Sequence, residues 1–247
     1  MANDDLESLY NSKYYQFEEF GFRNEKRATF ILSYLNIKST DKVLEIGCGL
    51  GVLLKKVPSK HKIGIETNDT AVRACKKRGL SVIKADAEKG LFFDNSSFDI
   101  VIMHEVIEHL HRPELVMKEC FRVLSPKGKI LITTPARNFF FHDLSPTHFS
   151  EMTTKGLKEL VEKCGFRLLI HEVCGISFLY PLLENFLFKP FRFFRYIFLI
   201  RNNKGVVEWT DSCHSIADKT FLKPLSAYRK KFLGLGLNQL ILAQKKG

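Results

Sequence analysis

Between residues 42 and 174, short apolar runs closed by turn residues alternate with stretches in which apolar residues recur every three or four positions. Those two periods, taken in turn, are the pattern of strands and helices wound around a parallel sheet. The runs predict strands at "KVLEIG" (42–47), "KIGIET" (62–67), "SVIKAD" (81–86), "FDIVIM" (98–103), "GKILITTP" (128–135) and "FRLLIHEV" (166–173), with a last one at "NQLILAQK" (238–245). Helices are predicted at 51–56, 69–78, 105–110, 113–124 and 153–164. In the last of these, Leu157, Leu160, Val161 and Cys164 share one face, and Gly165 supplies the stop.

The alternation breaks after residue 174. "GISFLYPLLENFLFKPFRFFRYIFLI" (175–200) is dense in Phe, Leu and Ile, but Pro181, Glu184, Lys189, Pro190, Arg192 and Arg195 interrupt it. A membrane-spanning helix needs about 20 mostly uncharged apolar residues, so a span is excluded. Two readings stay open. One is an interfacial segment with its aromatic groups inserted among lipid tails and its cations at the headgroups; the other is a helical hairpin packed on the sheet edge or at a subunit contact. Residues 201–237 read as irregular and basic.

Composition narrows the setting. The chain has 247 residues, 45% of them hydrophobic, enough for one α/β domain with its own core plus an embellishment. Six cysteines without a C-x-x-C pair point to a reducing compartment and away from a disulfide framework or structural zinc. The polar, acidic start "MANDDLESLYNSKYYQFEEF" lacks the layout of a secretory signal, and a cytoplasmic location is expected. A net charge of +11 favours polyanionic partners, nucleic acid or the anionic face of a membrane, or forms a solvated basic surface.

Candidate chemistry begins at "VLEIGCGLG" (43–51), where a strand turns on Gly47, Gly49 and Gly51 into a helix. Glycine there lets backbone approach a ligand closely. Glu45 stands just before the first glycine, a charge unwelcome to a pyrophosphate and tolerable to a cationic ligand. The run is G-x-G-x-G followed by Val52 and Leu53, so its third glycine falls one place early for a dinucleotide-binding dehydrogenase. Glu66, at the end of the second strand, is placed to accept hydrogen bonds from ribose hydroxyls, and Asp86-Ala87, after the third, to meet the exocyclic amine of a purine. Alternatively, both acids cap the elements that follow them.

A second cluster is "HEVIEHL" (104–110). On an α-helix Glu105, Glu108 and His109 stand at i, i+3 and i+4, on one face. Paired carboxylates raise each other's pKa unless a cation lies between them, and a divalent metal would supply one. "SPTHFSEMT" offers His148 as a fourth ligand.

"LEIGCGLG", "IETN", "KADAE", "FDIVIMHEVIEHL", "LSPKGKILITTP" and "LVEKCGF" together resemble, in order and spacing, the class I S-adenosylmethionine-dependent methyltransferases, over about residues 40–173 and again at 237–245. The resemblance implies an α/β, Rossmann-like seven-stranded mixed sheet of order 3-2-1-4-5-7-6, flanked by helices and carrying an antiparallel last strand. The chain is then a single methyltransferase domain, 1–247, with an N-terminal helical cap (1–40), a cofactor-binding core (41–174), a hydrophobic and basic insertion (175–236) and the last strand (237–247). It also implies that Glu45, Gly47, Cys48, Gly49 and Gly51 line the methionine part of the cofactor. Glu66, with Thr67 beside it, holds the ribose; Asp86 and Ala87 meet the adenine; Met103 and His104 lie beside the sulfonium.

The E-x-x-E-H pattern with a later histidine resembles a metal-assisted subset, the ubiquinone-biosynthesis O-methyltransferases and the methylases of small-RNA 3′ ends. By that resemblance Glu105, Glu108, His109 and His148 hold Mg²⁺, Mn²⁺ or Zn²⁺, which lowers the pKa of a substrate hydroxyl. His104, His142 or His148 takes its proton. The same E-x-I-E-H stretch also occurs in methyltransferases without a metal, where it braces the helix. "PARNFFFHDLSPTHFSEMT" further resembles a segment of enzymes from bacterial surface-polysaccharide pathways, with Asp143, Pro146, Thr147 and His148 in their motif. The expected reaction is O-methylation of a small or lipid-linked hydroxyl, a phenol or quinone precursor or a glycan, with 175–200 docking the protein on a bilayer. RNA ribose 2′-O-methylation and a non-catalytic nucleotide-binding module are the alternatives; against RNA, the residues around the site are mainly apolar and no separate RNA-binding module is visible.

Overall fold

The computed structural model describes residues 22–136, 149–150, 152–174 and 238–246, with side chains from Arg27 onward except that of Cys174. All of these but Cys174 fall in one compact unit, comprising 1–138, 142–173 and 238–247. The expectations for His142, His148 and the 175–200 segment lie outside the described residues. No described helix is long and apolar enough to cross a membrane.

The elements run α1 (Phe22–Leu32), β1 (Lys42–Ile46), α2 (Val52–Lys56), β2 (His61–Glu66), α3 (Asp69–Lys77), β3 (Val82–Lys84), β4 (Phe98–His104), α4 (Pro113–Val123), β5 (Leu124–Pro135), α5 (Thr154–Lys163), β6 (Phe166–Cys174) and β7 (Asn238–Lys245). Single 3₁₀ turns fill Ala87–Lys89 and Ile107–His109. The strands form one sheet in the order β3-β2-β1-β4-β5-β7-β6. Neighbours from β3 to β5 are parallel, whereas β7 runs antiparallel to β5, Ile132 opposite Ile241. This is the expected α/β topology, and its order reverses at β1 and β4.

The near-continuous apolar runs follow from burial on both faces of the sheet. Val43, Leu44, Val101, Ile102, Ile130, Leu131 and Ile132 are all fully buried. Helices cover the sheet with single faces: Ala71, Val72 and Cys75 in α3, and Leu157 and Val161 in α5 with Cys164 at its end. Their starts are fixed by side-chain caps. Asn68 accepts from the Thr70 and Ala71 N–H groups, and Thr153 from that of Gly156.

The 105–110 segment departs from the sequence expectation. Glu105 takes a left-handed backbone, φ 53, and only Ile107–His109 turns, as 3₁₀. The Glu105 N–H remains tied to the Thr133 carbonyl of β5, which holds the chain to the sheet one residue beyond β4 and denies it an α-helical start. Glu105, Glu108 and His109 therefore do not stack on one α-helical face.

Candidate active site

The carboxyl ends of β1, β2 and β4, with the loops that follow them, enclose a cavity of about 790 Å³. Such a crevice is where an open α/β sheet binds ligands. Gly47, Cys48 and Gly49 form one wall. Gly47 has φ 66, and a Cβ added there would stand 2.5 Å from Val106 Cγ2, so both dihedral and space demand glycine. Gly51 is also left-handed but lies behind the cavity, packed on Leu80 and Cys75.

Glu66 bolts this loop down. Its Oε2 accepts the Gly49 N–H at 2.9 Å, and its Oε1 accepts the N–H groups of Thr67 and Asn68 at 2.8 and 2.9 Å. A carboxylate has about four acceptor positions, so Oε2 keeps capacity toward the cavity that Glu66 lines. Asp86 accepts from the Glu88 N–H at 2.9 Å and caps the short turn after β3 while lining the cavity with Ala87. The capping and ligand readings of these acids thus coexist.

Glu45 is buried, and its Oε2 has no hydrogen-bond partner among the described residues. Burial, and then the neighbouring Cys75 and Glu66, push its pKa well above the carboxylate range. A buried polar atom without a partner, in a residue that lines the cavity, calls for one. Met103 does not line the cavity: it is fully buried in the main core, and the expectation that it flanks the ligand is corrected, because alternation along β4 turns its side chain inward and presents His104.

At the far end of the cavity a polar chain crosses three elements. Arg27 Nη2 of α1 pairs with Glu105 Oε2 at 2.9 Å, and the Thr133 hydroxyl donates to Glu105 Oε1 at 3.1 Å. His104 Nδ1 lies 2.5 Å from the same hydroxyl. Thr133 has one proton, which goes to a carboxylate that can only accept; it must therefore accept from His104 Nδ1–H. That fixes the tautomer and leaves Nε2 as the basic nitrogen. Burial lowers the His104 pKa to about 4, with Arg27 adding to and Glu105 opposing the shift. The imidazole is neutral at physiological pH. For Glu105, burial raises the pKa, but Arg27, His104 and Thr133 outweigh it and hold the carboxyl below its ordinary value.

Glu108 lies beneath, 1% exposed and not on the cavity wall. Its carboxylate accepts from Thr134 at 2.8 Å, and burial, then Glu105, raise its pKa to about 8. These donors do not fit the divalent ion expected between them. A cation site needs both carboxylates ionised and turned to one point; here Arg27 already neutralises Glu105, and Glu108 is a buried acid bonded elsewhere. His109 lines the cavity, and His148 is outside the described residues, among which no cluster of three His, Cys, Asp or Glu could hold a metal.

Sequence reasoning missed Arg27, Thr133, Thr134 and the stacked pair His111 and Phe149, whose rings lie 3.9 Å apart at the cavity edge. The two threonines carry a signal: adjacent polar residues ending an apolar strand, at the carboxyl edge of the sheet. Arg27 carries none.

A sheet with this strand order, one antiparallel strand and a glycine loop facing acids at the ends of β2 and β3 defines a class I S-adenosylmethionine-dependent methyltransferase core. Residues 44–132 match the family model described as a methyltransferase domain. It is 35% identical over 134 residues to a Mycolicibacterium smegmatis protein named "Probable S-adenosylmethionine-dependent methyltransferase", covering 51% of this chain and 52% of that one. It is 26% identical over 178 residues to the ubiquinone biosynthesis O-methyltransferase of Saccharophagus degradans, covering 63% and 74%. Among solved structures, Haemonchus contortus phosphoethanolamine N-methyltransferase 2 with bound S-adenosyl-L-methionine matches with a TM-score of 0.58 at 17% identity, over 90% of this chain and 52% of that one, a likeness of fold alone. The chain spans about half the length of the first curated relatives it matches.

Proposed function

We propose that this protein transfers a methyl group from S-adenosylmethionine to a hydroxyl oxygen of a small or lipid-linked acceptor, with His104 as the general base. The observation that carries the reading is the His104–Thr133–Glu105 chain, which holds a neutral imidazole in the cavity wall with Nε2 making no hydrogen bond to another described residue.

The cofactor fits the residues present. The glycine loop offers a cradle that a Cβ at Gly47 would fill, Glu45 Oε2 is a buried polar atom without a partner among the described residues, and Glu66 Oε2 keeps acceptor capacity for a ribose hydroxyl. Asp86 and Ala87 line the same cavity, which supports their assignment to the adenine. When bound, the cofactor supplies an electrophilic methyl on a positively charged sulfur. The chain's own work is to bind, orient and remove one proton. As the acceptor oxygen bonds to the methyl carbon, its proton passes to His104 Nε2, and the sulfonium becomes a neutral thioether. Glu105, held by Arg27, steadies the ring through Thr133 and offsets the charge that the imidazole gains, as a buried carboxylate does for a catalytic histidine.

Support for a lipid-linked acceptor comes from the Phe-, Leu- and Ile-rich, Lys- and Arg-bearing stretch 175–200, composed as a segment that covers a greasy tail or rests on a membrane surface. The test is calorimetry with S-adenosylhomocysteine, followed by transfer of labelled methyl from S-adenosylmethionine to a panel of phenols, glycans and their prenylated forms. Binding together with O-methyl product from one class supports the reading. Failure to bind S-adenosylhomocysteine, or methylation of nitrogen or carbon alone, overturns it.

A further inference from the structure

Phe92 is the most exposed large apolar side chain among the described residues, 82% open to water, and it stands on the wall of the cofactor cavity. A single apolar side chain on open surface calls for no explanation; one held at a ligand cavity by a rigid frame does. The frame is built by Arg122 of α4. Its Nη2 donates to the Leu91 carbonyl and its Nη1 to the Phe93 carbonyl, each at 2.7 Å, while the Leu91 N–H donates to Glu119 Oε2 at 2.9 Å. Glu119 grips the same guanidinium through two bonds of 2.8 Å. Leu91 is buried in the main core, and Phe93 packs against that core and meets Phe98 edge to face, with ring centroids 4.9 Å apart. Both neighbours of Phe92 are thus fixed in backbone and side chain, and the ring between them is left at the cavity wall.

A second aromatic surface stands on the same cavity. Arg112 ties the start of α4 to the Ala87–Lys89 turn, its N–H donating to Glu88 Oε1 at 2.5 Å and its Nη2 to the Glu88 carbonyl at 3.0 Å. That brings His111 beside the turn, where it stacks on Phe149. Phe149 is fixed in its turn, since its N–H and that of Ser150 donate to the Glu108 carbonyl at 2.8 and 3.0 Å.

We propose that Phe92 is a cofactor-binding residue whose ring covers the purine of bound S-adenosylmethionine. The inference rests on the cofactor assignment and not on the acceptor. A purine presents a flat π-face, and an aromatic side chain laid against it takes apolar surface of both out of water. Phe92 belongs to the stretch that follows β3, joined to Asp86 and Ala87 through the pinned turn, and all three line the cavity.

Distance decides which ligand Phe92 serves. Asp86 follows β3 and His104 ends β4, with β2 and β1 between them, so three strand spacings, about 14 Å, separate the two ends of the cavity. An acceptor hydroxyl within hydrogen-bonding reach of His104 Nε2 lies far from a side chain at the β3 end. The cofactor assignment puts the base at Asp86 and Ala87 and the methyl group at His104, so the cofactor is the ligand that reaches both.

The test is calorimetry on the full chain with S-adenosylhomocysteine and with S-adenosylmethionine. Phe92→Ala should lower affinity for both about fivefold or more, the low end of what removing an aromatic ring from a base costs, and by the same factor, because the two share the base. Phe92→Tyr keeps the ring and should stay within about twofold of the parent. Because the side chain is exposed in the free chain, thermal melts of both variants without ligand should match the parent, which separates a lost contact from a damaged fold. Phe92→Trp combined with Trp209→Phe makes the introduced indole the sole tryptophan of the chain, and its emission should change saturably as S-adenosylhomocysteine is added. A loss of less than about fivefold in Phe92→Ala, a loss with one ligand and not the other, or an indole blind to S-adenosylhomocysteine overturns the proposal. A parent chain that binds neither ligand overturns the cofactor assignment itself.

Discussion

Thr133 Oγ1 stands between His104 Nδ1, at 2.5 Å, and Glu105 Oε1, at 3.1 Å, and so joins two adjacent residues of one strand end through a hydroxyl from the next strand. Because the carboxylate can only accept, the arrangement determines which imidazole nitrogen is basic. A proton-accepting group is thereby set at the cavity by a residue with no acid–base chemistry of its own.

His104→Gln should lower methyl transfer about a hundredfold or more, the usual worth of a positioned general base, and leave S-adenosylhomocysteine affinity nearly unchanged. Because the parent imidazole is neutral above about pH 4, no histidine step should appear in the rate profile of the parent through the neutral range. A profile rising through the ordinary histidine pKa would show that the imidazole is less buried than described.

Thr133→Val keeps the shape of the strand end and removes the hydroxyl. His104 Nδ1 then loses its acceptor, the tautomer is no longer fixed, and transfer should fall about tenfold or more while affinity for S-adenosylhomocysteine holds. Thr133→Ser should recover most of the loss in the same assay.

Glu108 carries a pH signature in stability. Its folded pKa, about 8, lies above the ordinary value of 4.5, so the folded state holds a proton that the unfolded state releases first. Its contribution is fully present below pH 4.5 and is lost as pH rises toward about 8. Glu108→Gln removes that loss. The variant should gain on the parent as pH rises, by on the order of 3 kcal/mol at the alkaline end, and show little gain in acid. Thermal or urea melts across that window check both sign and trend.

Arg27→Met should destabilise the fold by about 1 kcal/mol or more, because it leaves the half-buried Glu105 without its cation. Adding Glu105→Gln should cost less than the sum of the two single changes, and a double-mutant cycle on melts measures the coupling. Additive losses would mean that Arg27 and Glu105 act independently.

Gly47→Ala should weaken S-adenosylhomocysteine binding about tenfold or more, since it combines a left-handed backbone with a methyl 2.5 Å from Val106. Val106→Ala in the same chain should relieve the contact and leave the dihedral cost, so calorimetry should show partial recovery.

The metal expectation shows where a sequence pattern misled. Glu105, Glu108 and His109 have the spacing of one helical face only if the segment is an α-helix. The Glu105 N–H is instead held by Thr133 of β5, and the residue adopts a left-handed backbone that no local pattern announces. Once the turn is 3₁₀, the two carboxylates meet different partners. EDTA should accordingly leave S-adenosylhomocysteine affinity unchanged, which calorimetry with and without the chelator tests.

What the sequence determined by itself is what local periodicity and turn chemistry encode. Strands covered on both faces carry runs of apolar residues, so "FDIVIM" and the "LILA" of "NQLILAQK" marked β4 and β7, and the closely spaced glycines marked the loop after β1. Strand order and the antiparallel β7 followed from the family resemblance those motifs carry. The tertiary structure alone decided which polar groups meet. Arg27 reaches Glu105, Thr133 reaches His104, and Cys75 reaches the Cys48 loop only because the sheet brings distant segments to one edge. Periodicity records which side of an element is buried; the partner that satisfies a buried charge comes from another element, and no spacing along the chain encodes it.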